Sequence, residues 1–340
     1  MKILVTGGTG FIGSHTVVEL QNEGFEVVII DNLSNSDRTV VDSIAEITNQ
    51  VPVFEELDLV DRAATFACIE KHKDIVGVIH FAALKAVGES VEKPLLYYYN
   101  NLTSLINLLL AMQKFDLQNF VFSSSCTVYG QPDQLPVGEQ APLKKAESPY
   151  GNTKKISEDI IRDSVGAGSM NAISLRYFNP IGAHDTALIG ELPLGVPDNL
   201  VPYITQTAIG KRDHLKVFGK DYSTHDGTAI RDYIHVVDLA RAHVVAVKRM
   251  LQGNSKIPFE IFNLGTGNGF TVLEVIKAFE KVSGEKLNYE FTGRRKGDIE
   301  KVWADTSFAN QELGWKAALG LEEMMLSAWN WELALSNRYT

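Results

Sequence analysis

The sequence predicts an α/β protein built on a doubly wound parallel sheet, and three features predict it. Short β-branched runs alternate with longer helical patterns through the first half of the chain. Several of those runs are apolar at nearly every position. A glycine-rich segment joins the first run to the first helical pattern. Runs that are apolar on both faces mark buried parallel strands, and alternating β and α units on one sheet give the doubly wound arrangement.

The expected strands lie at residues 3–6, 27–30, 51–57, 75–80, 120–123 and 172–177, with helices at 12–23, 61–71, 96–115 and 150–164. After Phe178 the rhythm changes. Residues 180–202 are rich in Gly, Pro and polar side chains and read as a long excursion. Helices are expected at 200–210, 236–251 and 272–282, and short strands at 259–263 and 287–291, forming a smaller α/β lobe. Active sites tend to lie between such lobes. The helix at 96–115 carries more apolar positions than one buried face requires. Either it is buried within one chain, or one face packs on the sheet and another on a second subunit.

Bulk properties narrow the function. The chain has 340 residues, 45% hydrophobic and 22% charged, an ordinary soluble composition able to bury its own core. A formal charge of −10 argues against nonspecific nucleic-acid binding, which needs clustered Lys and Arg. The two cysteines, Cys68 and Cys126, suit a reducing compartment and exclude a disulfide framework. No run approaches the ~20 apolar residues of a membrane helix, and the first apolar stretch is too short for a signal peptide. A cytoplasmic protein without a metal centre is expected.

The glycine segment reads Gly7-Gly8-Thr9-Gly10-Phe11-Ile12-Gly13, between the first strand and the first helix. Glycine permits a tight turn and close backbone approach to a pyrophosphate, and the helix N-terminus favours its negative charge. The second strand ends in Asp31, placed to accept hydrogen bonds from an adenosine ribose and to repel a 2′-phosphate. Asn32, Leu33, Ser34, Asn35 and Ser36 follow without a cation, Arg38 being the nearest. A Rossmann-type site for NAD rather than NADP is therefore expected. Asp58 and Leu59 end the third strand, where they can reach an adenine. Phe81, Ala82 and Ala83 end the fourth, beside the pyrophosphate.

Tyr150 and Lys154 are spaced i, i+4 on a predicted helix, which puts both on one face. Free tyrosine titrates near ~10, so a neutral-pH base needs its phenolate stabilised. Lowering it by about three units takes roughly 4 kcal/mol, within reach of an ammonium and an oxidised nicotinamide in a shielded cleft. Ser123, Ser124 and Ser125 follow the fifth strand, so a hydroxyl emerges at the carboxyl edge of the sheet, where ligands bind.

With these motifs the chain resembles the extended short-chain dehydrogenases/reductases. Further stretches resemble their UDP-glucose (UDP-galactose) 4-epimerase branch: 81–90 (FAALKAVGES), 176–180 (RYFNP), 226–228 with 231–236 (DGT, RDYIHV), and 263–265 (NLG). The resemblance runs nearly end to end. It implies Tyr150 as base, Lys154 as its electrostatic partner and ribose ligand, and Ser125 as the hydroxyl facing the sugar. It implies Lys85, Asn100, Ser123 and Phe178 along the cofactor. Asn179, Asn199, Leu200, Lys216, Val217, Phe218, Arg231, Tyr233, Arg295 and Asp298 would hold the UDP-sugar, the two arginines suiting a diphosphate. Residues 1–180 would form the NAD-binding domain and 181–340 mainly the UDP-sugar lobe, with later segments free to return to the first. A homodimer is also implied.

The reaction implied is C4 epimerisation: oxidation to a 4-keto sugar, rotation, and reduction from the other face, with no net redox change. Related dehydratases carry an Asp-Glu pair after the catalytic hydroxyl residue, to eliminate water. Here Cys126-Thr127-Val128-Tyr129-Gly130 follows Ser125, with no carboxylate. A dehydrogenase that releases its ketone and an NAD-sensing regulator are the other readings, though such regulators commonly lack an intact tyrosine–lysine pair. Val302 stands where the family's sugar pocket is often closed by tyrosine, which predicts room for N-acetylated UDP-sugars.

Overall fold

The computed structural model describes residues 1–168, 170–295 and 299–338. In chain order the first half runs β1 (Lys2–Thr6), α1 (Phe11–Asn22), β2 (Glu26–Asp31), α2 (Thr39–Thr48), β3 (Val53–Glu56), α3 (Arg62–Lys71) and β4 (Ile75–His80). It continues with α4 (Val87–Glu92), α5 (Pro94–Lys114), β5 (Asn119–Ser125), α6 (Pro149–Gly166) and β6 (Asn171–Tyr177). The second half adds β7 (Asn179–Ile181), α7 (Leu200–Ala208), β8 (Leu215–Phe218), β9 (Ile230–His235), α8 (Val236–Leu251) and β10 (Phe259–Leu264). It closes with β11 (Gly269–Thr271), α9 (Val272–Ser283), β12 (Tyr289–Thr292), β13 (Lys301–Val302) and α10 (Leu321–Arg338).

The main sheet has seven strands among the described residues, in the order β10-β6-β5-β4-β1-β2-β3, all parallel. Successive side chains of a strand face opposite sides, and the two faces fill two cores. Ile3, Val5, Val27, Ile29 and Ile79 join Val17 and Val18 of α1 and Leu239 and Ala242 of α8 on one side. Leu4, Val28, Ile30, Val78 and Phe120 join Leu105 and Leu108 of α5 and Ile161 of α6 on the other. The inner strands are thus buried on both faces, as their unbroken apolar runs predict, while the edge strand β3 stays partly exposed.

The small lobe has its own core, where Ile204 of α7, Phe279 of α9 and Met324, Met325 and Trp329 of α10 meet. Its strands form β11-β9-β13 with β7 beside β9, and a separate β8–β12 pair. The expectation for residues 259–263 is corrected here. That segment is no part of the lobe: β10 extends the main sheet beside β6. The preceding α8 likewise covers the main sheet. Helices α2, α4 and α10, the six-residue β9 and the two- to four-residue strands β7, β8, β11 and β13 lay outside the elements expected from the sequence.

One buried ion pair locks α6 to the sheet. Glu158 and Arg176 are almost fully buried. Arg176 grips Glu158 with Nε (2.9 Å) and Nη2 (2.6 Å), and Ser124 (2.6 Å) and Ser174 (3.0 Å) donate to the same carboxylate. Arg176 Nη1 donates to the Tyr129 hydroxyl at 2.9 Å, which donates to Asn263 of β10 at 2.6 Å. Breaking such a pair from one side leaves a buried charge, which costs about 3–5 kcal/mol. Arg176→Met should lower unfolding stability by about that amount in urea titration. Combining it with Glu158→Leu should recover part of the loss, and a double variant weaker than the single would contradict this account.

Candidate active site

Because the strands are parallel, their carboxyl ends share one edge of the sheet, and the segments leaving that edge carry most of the expected site. Strand order reverses between β1 and β4, which opens a crevice there. The glycine turn leaves β1 at this point. Gly7 has φ of 71°, and a Cβ on it would lie 2.8 Å from the Ala82 backbone nitrogen. A Cβ on Gly13 would lie 2.1 Å from the Gly7 carbonyl oxygen. The turn therefore packs directly on the segment Phe81, Ala82 and Ala83. Gly10 is the N-cap of α1, Phe11 and Ile12 begin the helix, and no side chain caps it, so its first N–H groups remain available to an anion.

Asp31 ends β2 almost fully buried and accepts hydrogen bonds from Thr9 N–H (3.2 Å), Leu33 N–H (3.0 Å) and the Ser36 hydroxyl (3.2 Å). Ser36 also bonds Thr9 at 2.7 Å, so the loop of Asn32, Leu33, Ser34, Asn35 and Ser36 curls against the glycine turn. Asn32 donates to Asp58 at 3.2 Å, joining the ends of β2 and β3. Leu59 differs from expectation: its side chain lies in the sheet core. Arg38 lies over the Phe54 ring, 3.9 Å from Glu56, so this cation is held by β3. An uncapped helix end, a turn that excludes any Cβ and a carboxylate at the ribose position fit an NAD-type dinucleotide.

Helix α6 brings the reactive groups to the same edge. Ser148 caps it by accepting from Gly151 N–H at 3.2 Å, and Pro149 opens it. Tyr150 thus sits in the first turn, where the helix dipole favours negative charge. The Ser125 hydroxyl is turned toward that of Tyr150 and accepts from the Thr127 N–H and hydroxyl at 3.2 and 3.0 Å. Lys154 is buried and donates to the Ser123 carbonyl at 2.6 Å. Strand alternation puts Ser124 on the Glu158 side and turns Ser123 to the Tyr177 hydroxyl.

The electrostatics differ from the expected ones. Burial pushes Tyr150 up to about 12, reinforced by Cys126 and opposed by the Ser125 hydrogen bond. Burial pushes Lys154 down to about 7, against the pull of Glu158. Its ammonium lies 6.0 Å from the centre of the Tyr150 ring. The lysine alone therefore does not turn the tyrosine into a neutral-pH base, because both charged forms lose more water than they regain in partners.

The remaining expected residues line the approach from the small lobe. Lys85 and Asn199 meet through Glu191, which accepts from them at 3.2 and 2.6 Å. Asn199 is the N-cap of α7 and Leu200 its first residue. Asn179 pairs with Tyr233 across β7 and β9. Arg231 faces Val302 in register across β9 and β13. Phe178 and Val302 share an apolar group with Val128, Tyr129 and Val137. Arg295 lies over the Phe218 ring at 4.9 Å, with Lys216 exposed on the same strand. Val217 and Tyr233 bury their side chains in the lobe core, which leaves their backbones to meet a ligand. Asn100 donates to Asn101 at 3.0 Å. Asp298 lies outside the described residues.

Several organising residues went unnoticed in the sequence. Asn101 accepts from Leu84 N–H (2.9 Å) and donates to the Leu84 carbonyl (3.0 Å) and to Thr153 (3.1 Å), tying the loop after β4 to α5 and α6. Asp232, fully buried, accepts from the backbones of Thr266, Gly267 and Ala304. Glu191 is fixed by Trp331 of α10, which donates to its carbonyl at 2.8 Å. Glu158 falls four residues after Lys154, a spacing that was available as a signal.

The family model described as GDP-mannose 4,6 dehydratase matches residues 4–327, which places the chain in that wider family. A Bacillus subtilis (strain 168) protein named UDP-glucose 4-epimerase is 52% identical over 340 residues, spanning 100% of this chain and 99% of its own. The crystal structure of UDP-glucose 4-epimerase from Stenotrophomonas maltophila, with bound NAD and formylated UDP-arabinopyranose, is 49% identical with a TM-score of 0.96 and 99% of each chain covered. That from Bifidobacterium longum, in complex with NAD+ and UDP, is 45% identical with a TM-score of 0.94 and the same coverage. Sequence, fold and site agree: the chain belongs to the UDP-glucose 4-epimerase family of the extended short-chain dehydrogenases/reductases.

Proposed function

We propose that this chain interconverts UDP-galactose and UDP-glucose by inverting C4 of the sugar through a transient 4-keto intermediate. The observation that carries this reading is that Ser125 ends β5 and Tyr150 opens α6 with their hydroxyls turned toward each other, at the same sheet edge as the glycine turn. The segment after Ser125 supplies a thiol and a hydroxyl instead of the carboxylates that elimination of water needs. That contrast favours redox at one carbon over the dehydratase reaction for which the wider family is named.

Gly7, Gly10, Phe11, Ile12 and Gly13 hold the pyrophosphate of NAD, and Asp31 its adenosine ribose. When bound in oxidised form, NAD supplies the acceptor for the C4–H electron pair and the positive charge that the Tyr150 phenolate lacks in the protein alone. Tyr150 takes the proton of the 4-hydroxyl, Ser125 orients both oxygens, and Lys154 holds a ribose hydroxyl. The same tyrosine returns the proton when the keto group is reduced from its other face. Asn179, Asn199, Leu200, Lys216, Phe218, Arg231 and Arg295 hold the UDP part. The sugar, bounded by Lys85, Phe178 and Val302, must stay loose enough to rotate while its diphosphate is held.

Purified protein given UDP-galactose without added NAD should form UDP-glucose, and Tyr150→Phe should lose roughly 10²–10⁴ in kcat with UDP affinity unchanged. Accumulation of NADH would point to a dehydrogenase instead, and loss of water from the sugar to a dehydratase.

Val302 is small and buried beside Phe178, which supports acceptance of UDP-GalNAc and UDP-GlcNAc. Val302→Tyr should abolish turnover of the N-acetylated sugars while sparing UDP-galactose; equal loss on both would contradict the assignment.

The chain works as a homodimer in the cytoplasm. Both cysteines are free, and among the described residues no helix is long and apolar enough to cross a membrane. Helix α5 leaves Leu95, Leu96, Tyr99, Ile106 and Leu110 exposed along one stripe, opposite the face that packs on the sheet. Light scattering should give twice the 37.6 kDa chain mass, and Ile106→Asp should shift it toward one copy.

A further inference from the structure

At the outer edge of the main sheet, away from the crevice, three ligand-bearing side chains converge. Glu55 lies on β3, the last strand, and Cys68 and His72 lie on and just after α3. The ligating atoms of Glu55, Cys68 and His72 all lie within 4.8 Å of one another. His72 Nε2 is 2.7 Å from Glu55 Oε1. Cys68 and His72 stand i, i+4, so the helix itself presents both toward the strand. Both are nearly buried, and the Glu55 side chain is 19% exposed, so the group has one open side.

We propose that Glu55, Cys68 and His72 bind one divalent transition-metal ion of the zinc class. Thiolate, imidazole and carboxylate are the ligand types that zinc takes, with a water completing four-coordination. In a tetrahedral zinc site the ligand atoms stand roughly 3.3–3.8 Å apart. The three groups reach that spacing by side-chain adjustments of about an ångström. Lys71, which donates to Glu55 at 2.6 Å, is 63% exposed and swings away to solvent. The Cys68 thiol, nearly buried, loses its proton to water as the sulfur–metal bond forms. One proton is thus released from the thiol for each ion bound, and binding tightens as pH rises. The Nε2–H of His72, which donates to Glu55 in this structure, gives way as its proton passes through solvent to Nδ1, and the freed Nε2 lone pair takes the metal. The ion would tie the sheet's edge strand to its covering helix.

The test uses the NAD-bearing protein, stripped with chelator and titrated with Co²⁺ in the absence of UDP-sugar, whose diphosphate competes for metal. One Co²⁺ per chain should bind with a near-ultraviolet thiolate band and intense tetrahedral visible bands, releasing a proton, and Zn²⁺ should bleach the spectrum. Cys68→Ser should remove the thiolate band, Cys126→Ser should leave it, and His72→Gln should weaken binding at least about tenfold. A wild-type titration without a thiolate band or without proton release overturns the proposal, independently of how any variant folds. So does a band that survives Cys68→Ser or an affinity indifferent to His72→Gln.

Discussion

The Glu158 carboxylate holds together three elements that the chemistry needs in register. It sits on α6, accepts from Ser124 on β5, and is clasped by Arg176 and Ser174 on β6. Tyr150 and Lys154 lie two turns and one turn before it on the same helix. The distance from Ser125 to Tyr150 is therefore set by a fully paired buried charge rather than by two loops. Arg176 carries the constraint onward through Tyr129 to Asn263, and so to the strand that closes the sheet. A charge buried this deeply persists only when every oxygen is satisfied, and here the donors supply four bonds.

Around that anchor the parallel sheet does the gathering. Residues separated by more than a hundred positions reach one edge because each strand ends there. The small lobe is joined to that edge by polar contacts: Glu191 bridges Lys85 and Asn199, and Asp232 collects two backbone segments, 266–267 and 304, near Arg231 and Val302. These contacts fix one side of the crevice, while the group around Phe178 and Val302 is apolar apart from the Tyr129 hydroxyl, which is taken up by Arg176 and Asn263.

Burial sets the charge states of the two groups on α6 that face the crevice. With the tyrosine held near 12 and the lysine near 7, the tyrosine stays protonated at neutral pH while the lysine is only about half charged. A site whose base ionises only beside an added positive charge is kept from proton chemistry when that charge is missing.

Much of this was legible in the chain alone. The glycine turn, Asp31 and the Tyr150–Lys154 spacing depend on local geometry: a turn, a strand end and one helical face are each set by residues within a short window. The inner strands of the main sheet were legible because both their faces are buried. Strands of two to four residues such as β7 and β13 were not, since they are too short to show a period. Nor was it legible that β10 leaves the small lobe for the main sheet, or that Glu158, Asn101 and Asp232 organise the site. The sequence by itself determined the chemical groups and their local order. Only the tertiary structure decided which buried charges meet and what burial does to Tyr150 and Lys154, because desolvation and pairing depend on neighbours distant in the chain.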